Sequence, residues 1–287
     1  MQCSENVRPG ERMKLSSIGF IGGGRVTSII LEGWRAAGKL PEQIVVSDTA
    51  PEVLNRLKAR FPGVETTVDN RHPANQDFVF IALHPPKVRS ELPLVRDALK
   101  PEALVISLAP VLRSSALVRL LGGFERLARV IPNAPSAIGK GFNPTAFAPQ
   151  LGRPERDAVS RLLDPLGVHP EVDEERLEAY AILTGMGPTY YWFQWQALRE
   201  LGRDFGLTPS EVDQSLRQMI HGAADLLLAS GRPPDEVMGM VPLRPLSEIE
   251  AQVLAAYYEK LSSLHGKLKA ASCEYLRVGS DLTGKER

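Results

Sequence analysis

The chain has 287 residues, a length that suggests two domains of ordinary size. Apolar residues make up 43% of it and charged residues 24%, which is typical of a folded globular protein rather than a disordered or fibrous one. Lysine and arginine number 34, as do aspartate and glutamate, so no net positive field would attract nucleic acid. No apolar run is long enough to span a bilayer, and the first residues lack the apolar core of a signal peptide. We therefore expect a cytoplasmic protein with neither a nucleic acid nor a membrane as partner.

The first half of the chain predicts an α/β domain with a doubly wound parallel sheet. Apolar runs typical of buried strands alternate with periodic segments typical of helices. Because each parallel crossover needs a helix to return the chain, this alternation favours a Rossmann-like fold. In chain order the predicted elements are strand 17–21, helix 26–37, strand 44–46, helix 52–60, strand 78–83, helix 88–99, strand 104–108, helix 154–166 and strand 168–172. We place this domain at residues 14–173.

The second half, residues 174–277, predicts an all-α domain. Strand signals are scarce there and three helices can be recognised, the first interrupted by the sequence GMGP at 185–188. Thr208 and Glu211 fit a capping box, with Pro209 at the favoured first helical position. The proline-rich stretch 231–245 predicts a loop between the second and third helices.

A glycine turn between the first strand and the first helix carries the strongest functional signal. In the sequence GFIGGGRVT at 19–27, Gly22 permits a tight turn and Gly24 lets the backbone approach a pyrophosphate at the helix N-terminus. Thr27 stands where the strict dinucleotide fingerprint has its third glycine. The alternative is a purely structural turn in a non-binding α/β fold. Five consecutive residues are assigned to cofactor binding: Gly22, Gly23, Gly24, Arg25 and Val26.

Asp48, at the end of the second strand, has the spacing of the acidic residue that accepts hydrogen bonds from the adenosine ribose. A carboxylate there would repel a 2′-phosphate, so the segment favours NAD over NADP, although Arg25 and Arg56 offer compensating charge. The alternative is that Asp48 only starts a turn before Pro51. The first domain is thus predicted to bind NAD(P)H, with NAD favoured.

Further cofactor contacts are expected where later strands end, because ligands of such sheets bind outside the carboxyl ends of the strands. Residues assigned on this ground are Leu83, His84, Pro85, Ala109 and Asn133. His84 is a candidate acid or cofactor contact, with an ordinary turn as its alternative. Asn133 can donate and accept, which suits a nicotinamide carboxamide or a substrate carboxylate, with an Asx-type turn beside Pro132 as its alternative.

Three motifs occur in the order found in pyrroline-5-carboxylate reductases: IGFIGGG at 18–24, RVIPNAP at 129–135 with GKG at 139–141, and TGMGPTY at 184–190. The chain resembles that family over residues 14–271. The resemblance implies a Rossmann-like domain followed by a helical domain through which two subunits interlock, giving a homodimer or a higher homo-oligomer. It also implies hydride transfer from NAD(P)H to a small cyclic imine, as in proline biosynthesis, with Asn133 beside the nicotinamide.

The chain departs from the family pattern at two places. His84 stands where the family typically has a lysine, and PLRPLSE at 242–248 replaces the Ser-Pro-Gly-Gly-Thr-Thr substrate loop. The backbone N–H groups that two glycines would expose to a small anion are thereby lost. Arg244 is a candidate replacement for the carboxylate contact. The predicted catalytic or substrate-contacting residues are Asn133, Thr184, Thr189 and Arg244.

Three alternatives stay open at this point. The altered segment is compatible with reduction of a different imine or carbonyl compound. It is also compatible with a non-catalytic dimer that only binds a dinucleotide. A deazaflavin as hydride donor is the third alternative, because reductases that use it share a similar Rossmann half.

Overall fold

The computed structural model describes residues 17–277, of which 273–277 are described by their backbone only. The predicted start of the first domain at Lys14 lies outside the described residues. The described residues form two compact units: the first comprises residues 17–181 and 267–277, and the second is Ile182–Gly266.

This division differs from the predicted boundary at Asp173 because the segment that follows packs onto the sheet domain. Leu177 and Ala181 share a buried cluster with Ile131 and Ala146. Burial of apolar surface on the sheet side therefore holds residues 174–181 in the first unit.

The first unit is a doubly wound α/β domain, as predicted. A seven-stranded sheet has the order β3-β2-β1-β4-β5-β6-β8; its strands are parallel except β8, which pairs antiparallel with β6, and β7 and β9 form a separate parallel pair. The nine strands are β1 Ile18–Ile21, β2 Ile44–Ser47, β3 Glu65–Thr67, β4 Phe78–Ile81, β5 Leu104–Ser107, β6 Leu127–Val130, β7 Gly141–Phe142, β8 Thr145–Phe147 and β9 Gly167–Val168.

The predicted helices are present with their ends moved by a few residues, and the short helices at Arg71–Ala74 and Ser114–Leu120 were not predicted. In the first unit they are α1 Arg25–Ala36, α2 Pro51–Arg60, α3 Arg71–Ala74, α4 Pro85–Val95, α5 Ser114–Leu120, α6 Arg153–Leu163 and α7 Leu177–Tyr180. In the second unit they are α8 Pro188–Asp204, α9 Pro209–Leu228 and α10 Pro234–Gly239, and α11 Ser247–Arg277 begins in the second unit and ends in the first.

Two apolar layers cover the two faces of the large sheet. Successive strand residues point to opposite faces, so Phe20 and Phe80 belong to one buried cluster whereas Val79 and Ile81 belong to the other. The rings of Phe20 and Phe80 stack with centroids 4.6 Å apart, and Trp34 of α1 packs on both. This double burial explains why the strands are continuous apolar runs in the sequence.

The second unit is helical, as predicted, and has little core of its own. The predicted capping box at the start of α9 is confirmed: Thr208 Oγ1 accepts a hydrogen bond from Glu211 N, and the Glu211 carboxylate accepts one from Thr208 N. The short helix α10 lies within the stretch predicted as a loop. Among residues 182–266 the buried hydrophobic side chains are those of Ile182 and Val212. Within the described part of the chain, no helix combines the length and apolar character that crossing a membrane requires.

Candidate functional site

The turn after β1 can be made only with glycine at position 22. Gly22 has a φ of 107°, and a Cβ there would lie 2.5 Å from the carbonyl oxygen of Ala82. Its N–H donates to Ser47 O at 2.8 Å, which ties the turn to the end of β2. The turn therefore sits where the carboxyl ends of β1, β2 and β4 meet.

Thr27 completes this turn from the first helical turn of α1. Its buried hydroxyl donates to the carbonyl oxygen of Gly22 at 2.6 Å. A glycine at position 27 could not make this bond. Threonine in place of the third glycine of the fingerprint therefore stabilises the turn. Its hydroxyl hydrogen is donated within the protein rather than to a ligand.

Gly24 leaves open space in front of the N-terminus of α1. It occupies the N-cap position, and a Cβ placed on it would meet no atom within 4 Å. The first backbone N–H groups of a helix have no partner within the helix, and the helix dipole places partial positive charge there. No acidic side chain lies in the first turn of α1 to compete for that charge. The site therefore fits a phosphate or pyrophosphate that approaches the backbone closely.

Asp48 joins the glycine turn to the loop after β2. Its Oδ2 accepts from Gly23 N at 2.9 Å and its Oδ1 accepts from Ala50 N at 2.9 Å. The bond from Ala50 N forms the local turn before Pro51 that was the alternative interpretation of Asp48. The bond from Gly23 N shows that the same carboxylate also faces the glycine turn. A carboxylate has further lone pairs, so these two bonds leave capacity for a ligand hydroxyl.

A cavity of about 220 Å³ opens beside Asp48. Five of the predicted cofactor residues line it: Gly22, Gly24, Asp48, Leu83 and His84. The glycine turn and the end of β4 are thus brought together, as expected for the carboxyl edge of a parallel sheet. His84 is also the N-cap residue of α4 and has an extended backbone before Pro85 and Pro86. This position agrees with the interpretation of His84 as an ordinary turn residue.

The cavity has polar walls that the sequence analysis did not identify. Ser47 Oγ donates to Asn70 Oδ1 at 2.6 Å, and Asn70 Nδ2 donates to Glu91 Oε2 at 2.8 Å. Lys87 reaches the same cavity, with its Nζ 3.4 Å from Thr49 Oγ1. Asn70 follows β3, a short edge strand that the apolar pattern does not reveal.

A second groove, of about 590 Å³, runs from the glycine turn between α1 and α2. The predicted residues Gly23 and Arg25 line it, together with Arg56. Both arginine side chains are on exposed residues. The groove thus carries the positive charges of Arg25 and Arg56, and it shares Gly24 and His84 with the cavity.

The remaining predicted cofactor residues of the first unit are placed differently. Val26 packs against the core of the sheet, Pro85 is the first residue of α4, and Ala109 is buried directly after β5. None of the three lines the cavity or the groove.

Asn133 stabilises its own loop. Its Oδ1 accepts from Phe142 N at 3.1 Å, and it precedes a short 3₁₀ segment, Ala134–Ile138. The side chain is almost fully buried. This bond favours the turn interpretation for the side-chain oxygen, and it fixes the loop at the carboxyl end of β6.

The other three predicted catalytic residues lie in the second unit. Thr184 is in a π-helical turn, Ala181–Gly185, and Thr189 donates its hydroxyl to Met186 O at 2.6 Å in the first turn of α8. Arg244 forms an ion pair with Glu250 of α11, so its charge is balanced within the unit.

A buried ion network supports the sheet below these loops. Arg129 of β6 is 1% exposed, and its two terminal nitrogens contact Glu174 at 3.1 Å and Glu178 at 3.0 Å. Burial opposes ionisation of Glu174, but the Ser114 hydroxyl and the Arg129 charge outweigh it, so the pKa of Glu174 lies below its usual value. The network ties α5, β6 and the segment 174–180 together.

The comparisons with known proteins agree with this geometry. A family profile described as NADP oxidoreductase coenzyme F420-dependent matches residues 17–110, which include the glycine turn and Asp48. A pyrroline-5-carboxylate reductase from Pseudomonas aeruginosa is 27% identical over 227 residues, which are 78% of this chain and 83% of that protein.

Solved structures extend the likeness to both units. A pyrroline-5-carboxylate reductase from Coxiella burnetii matches with a TM-score of 0.64 and 28% identity, covering 91% of this chain and 97% of that one. The Plasmodium falciparum pyrroline carboxylate reductase with NADP bound matches with a TM-score of 0.68 and 19% identity, covering 90% and 96%. In sequence and in fold, this chain is similar to the pyrroline-5-carboxylate reductases.

Proposed function

We propose that the protein is an NAD(P)H-dependent reductase that acts on the C=N bond of a small cyclic imine, with pyrroline-5-carboxylate as its first candidate substrate. The observation that carries this proposal is the open space at Gly24, in front of the N-terminus of α1 and beside the Asp48 cavity. Its support is the set of relatives whose names state this activity.

Each residue of the dinucleotide site has a role that follows from its position. The bound nicotinamide would supply the hydride. The backbone N–H groups at the start of α1 would hold the pyrophosphate, and Asp48 would accept hydrogen bonds from the adenosine ribose. Asn133 holds the loop at the end of β6, the place that the family resemblance assigns to the nicotinamide. The proton would come from solvent or from the protonated imine, and His84, which lines the cavity, stays a candidate acid.

Substrate recognition is proposed to differ from that of the family. Arg244 stands in the segment that replaces the glycine-containing substrate loop, and Thr184 and Thr189 belong to the motif at 184–190. To bind a substrate carboxylate, Arg244 would exchange its contact with Glu250 for one with the ligand. Arg244 is exposed, so its guanidinium can exchange one charged hydrogen bond for another without a buried charge being left unpaired.

The test is steady-state oxidation of NADH and NADPH with pyrroline-5-carboxylate. Turnover that falls in Arg244→Ala, mainly through a higher KM for the imine, is expected. Cofactor binding without turnover over a panel of cyclic imines and oxo acids would favour the non-catalytic dimer instead. If no reduced nicotinamide binds in a fluorescence titration, the proposed function is wrong.

A reduced deazaflavin is a second candidate hydride donor. The family profile that matches residues 17–110 is described as F420-dependent. That match is confined to the sheet unit, whereas the pyrroline-5-carboxylate reductase relatives cover about four fifths of the chain, including 78% for the Pseudomonas protein. The donor panel should therefore contain a reduced deazaflavin, and activity with it in the absence of nicotinamide would overturn the assignment of NAD(P)H.

We propose that NADH is preferred to NADPH. Asp48 and Glu91 place two carboxylates at the cavity against the one ammonium group of Lys87, so the balance of charge would oppose a 2′-phosphate. The Asp48→Asn variant is expected to bind NADH about 10- to 100-fold more weakly, because it loses a charged hydrogen-bond acceptor. Its affinity for NADPH is expected to rise relative to NADH. Equilibrium titrations with both dinucleotides measure the ratio, and thermal unfolding checks that the bonds from Gly23 and Ala50 survive.

The matched control for this prediction is Arg56→Ala. Arg56 lines the neighbouring groove, where it could meet a 2′-phosphate. If the wild-type protein prefers NADPH and loses that preference in Arg56→Ala, the charge of the groove and not that of Asp48 sets the specificity.

We further propose that two copies of the chain associate through the helical unit. Within residues 182–266 large apolar side chains stay exposed, for example Phe205 at 76% and Leu228 at 82%. Monomeric proteins rarely leave such an extended apolar surface in water. Sedimentation velocity at micromolar concentration is expected to give the mass of a dimer or a larger assembly, and a monomer would contradict this proposal.

A further inference from the structure

Val111 has an unusual backbone conformation in the loop that follows β5. Its φ is 64°, a left-handed value that costs energy for any side chain and most for a β-branched one. The residue is also buried, at 4% exposure. A strained, buried residue persists only where its surroundings fix it in place.

The loop that contains Val111 lies next to the proposed cofactor cavity. β5 pairs with β4 in parallel, with Ser107 opposite Ile81, and Leu108 N donates to Ile81 O at 3.0 Å. The residues that follow Ile81 in the chain include Leu83 and His84, which line the cavity. The loop after β5 therefore leaves the sheet at the same edge, one strand away.

A serine near the end of the last helix holds the Val111 conformation. Ser272 of α11 is 1% exposed, and its Oγ lies 3.0 Å from the carbonyl oxygen of Val111 and 3.1 Å from Glu178 Oε1. A hydroxyl has one hydrogen to donate. Both the Val111 carbonyl and Glu178 Oε1 can accept that hydrogen, and the shorter of the two distances is the one to Val111.

We infer that Ser272 is a positioning residue for dinucleotide binding, which acts by holding the Val111 loop in its left-handed conformation. The inference rests on the proposed function, since it assigns the loop to the cofactor side of the sheet edge. The far end of the chain is thereby part of the machinery that shapes the site, through a contact within the first unit. No side chain of the loop needs to touch the ligand, because Ala109 and Val111 would present only their backbone.

The experiment is a double-mutant cycle on Ser272 and Val111. Ser272→Ala is expected to raise the KM for NADH about five- to tenfold, the effect of one lost hydrogen bond, with little change in the KM for the imine. Val111→Gly adopts the left-handed conformation without strain, so Ser272→Ala in that background is expected to change the KM for NADH less than about twofold. Ser115→Ala, at an exposed position of α5, is the control and should behave as the wild type.

Each outcome of this cycle has a definite meaning. An unchanged KM for NADH in Ser272→Ala overturns the inference. An equal rise in KM in the wild-type and Val111→Gly backgrounds also overturns it, because Ser272 would then act through Glu178 or through packing. Thermal unfolding of every variant separates loss of fold from loss of binding, and Val111→Asn replaces Val111→Gly if the glycine variant does not fold. If the wild-type protein binds no dinucleotide, the proposed function is wrong as well. If the wild type binds NADH normally but the variants do not show the expected KM values, only the role of Ser272 is wrong.

Discussion

Replacing Arg129 with alanine is expected to lower the free energy of unfolding by about 3–5 kcal/mol, the usual cost of removing one partner from a buried ion pair. The loss follows from burial: Arg129 is 1% exposed and its removal leaves the carboxylates of Glu174 and Glu178 without their cation. Urea unfolding followed by circular dichroism measures the change. Arg153→Ala is the control, since Arg153 is 91% exposed and pairs only with Asp157 at the surface. That variant should lose less than about 1 kcal/mol.

The same variant is expected to change how stability depends on pH. In the wild type the pKa of Glu174 is below its usual value, so its contribution is present above the unfolded-state pKa and is lost as the pH falls through the lower, folded-state pKa. Without the Arg129 charge, desolvation of Glu174 is less well opposed and its pKa rises. Stability of Arg129→Ala should therefore begin to fall at a higher pH than that of the wild type. If the free energies of unfolding of the two proteins fall over the same range of acid pH, the role assigned to the ion network is wrong.

Alanine at two neighbouring glycines is expected to have opposite consequences. At Gly24 a Cβ meets no protein atom within 4 Å, so Gly24→Ala should fold as the wild type does. The new methyl group would instead occupy the space through which the proposed pyrophosphate approaches the start of α1. We expect its affinity for NADH to fall at least about 100-fold, which corresponds to about 2.8 kcal/mol.

Gly22→Ala should fail for a different reason. Its Cβ would lie 2.5 Å from a backbone oxygen, and its φ of 107° is not accessible to alanine without strain. A loss of several kcal/mol in the free energy of unfolding is expected, of the size found for severe backbone conflicts. Unfolding curves and NADH titrations of both variants are the measurement. If Gly24→Ala binds NADH normally, the pyrophosphate does not use this helix end and the proposed site is wrong.

The sheet could be predicted largely from the sequence because its central strands are buried on both faces. β1 and β4 are continuous apolar runs and β5 is apolar up to Ser107, a pattern typical of strands buried on both faces. β3 gave no such signal, since its residues Glu65, Thr66 and Thr67 lie at the edge and are partly exposed. β6 was not recognised as a strand because Arg129 stands inside it, and the charge is compensated only by residues from the segment 174–178.

The residues of the candidate site also fall into those that a local sequence pattern marks and those that it does not. The glycine turn and Asp48 have the spacing typical of a dinucleotide site, so the sequence predicts that they lie together, and the structure brings them to one cavity. Asn70 and Glu91 belong to the same cavity, but they reach it through a hydrogen-bond chain between separate elements. No local pattern marks such residues, because their role is created by tertiary contacts. The predicted residues Thr184, Thr189 and Arg244 remain proposals for substrate binding.

The contact between Ser272 and Val111 also affects when, during synthesis, the site can reach its folded conformation. A ribosome releases the sheet residues long before Ser272, yet the strained turn at Val111 depends on that serine. The nascent sheet unit can collapse around its apolar layers as it emerges, since N-terminal segments generally fold first. Its loop after β5 would reach its final conformation only when the last helix docks. The site would therefore reach its full affinity only after α11 has docked, and a chain that lacks Ser272 is expected to bind the dinucleotide more weakly.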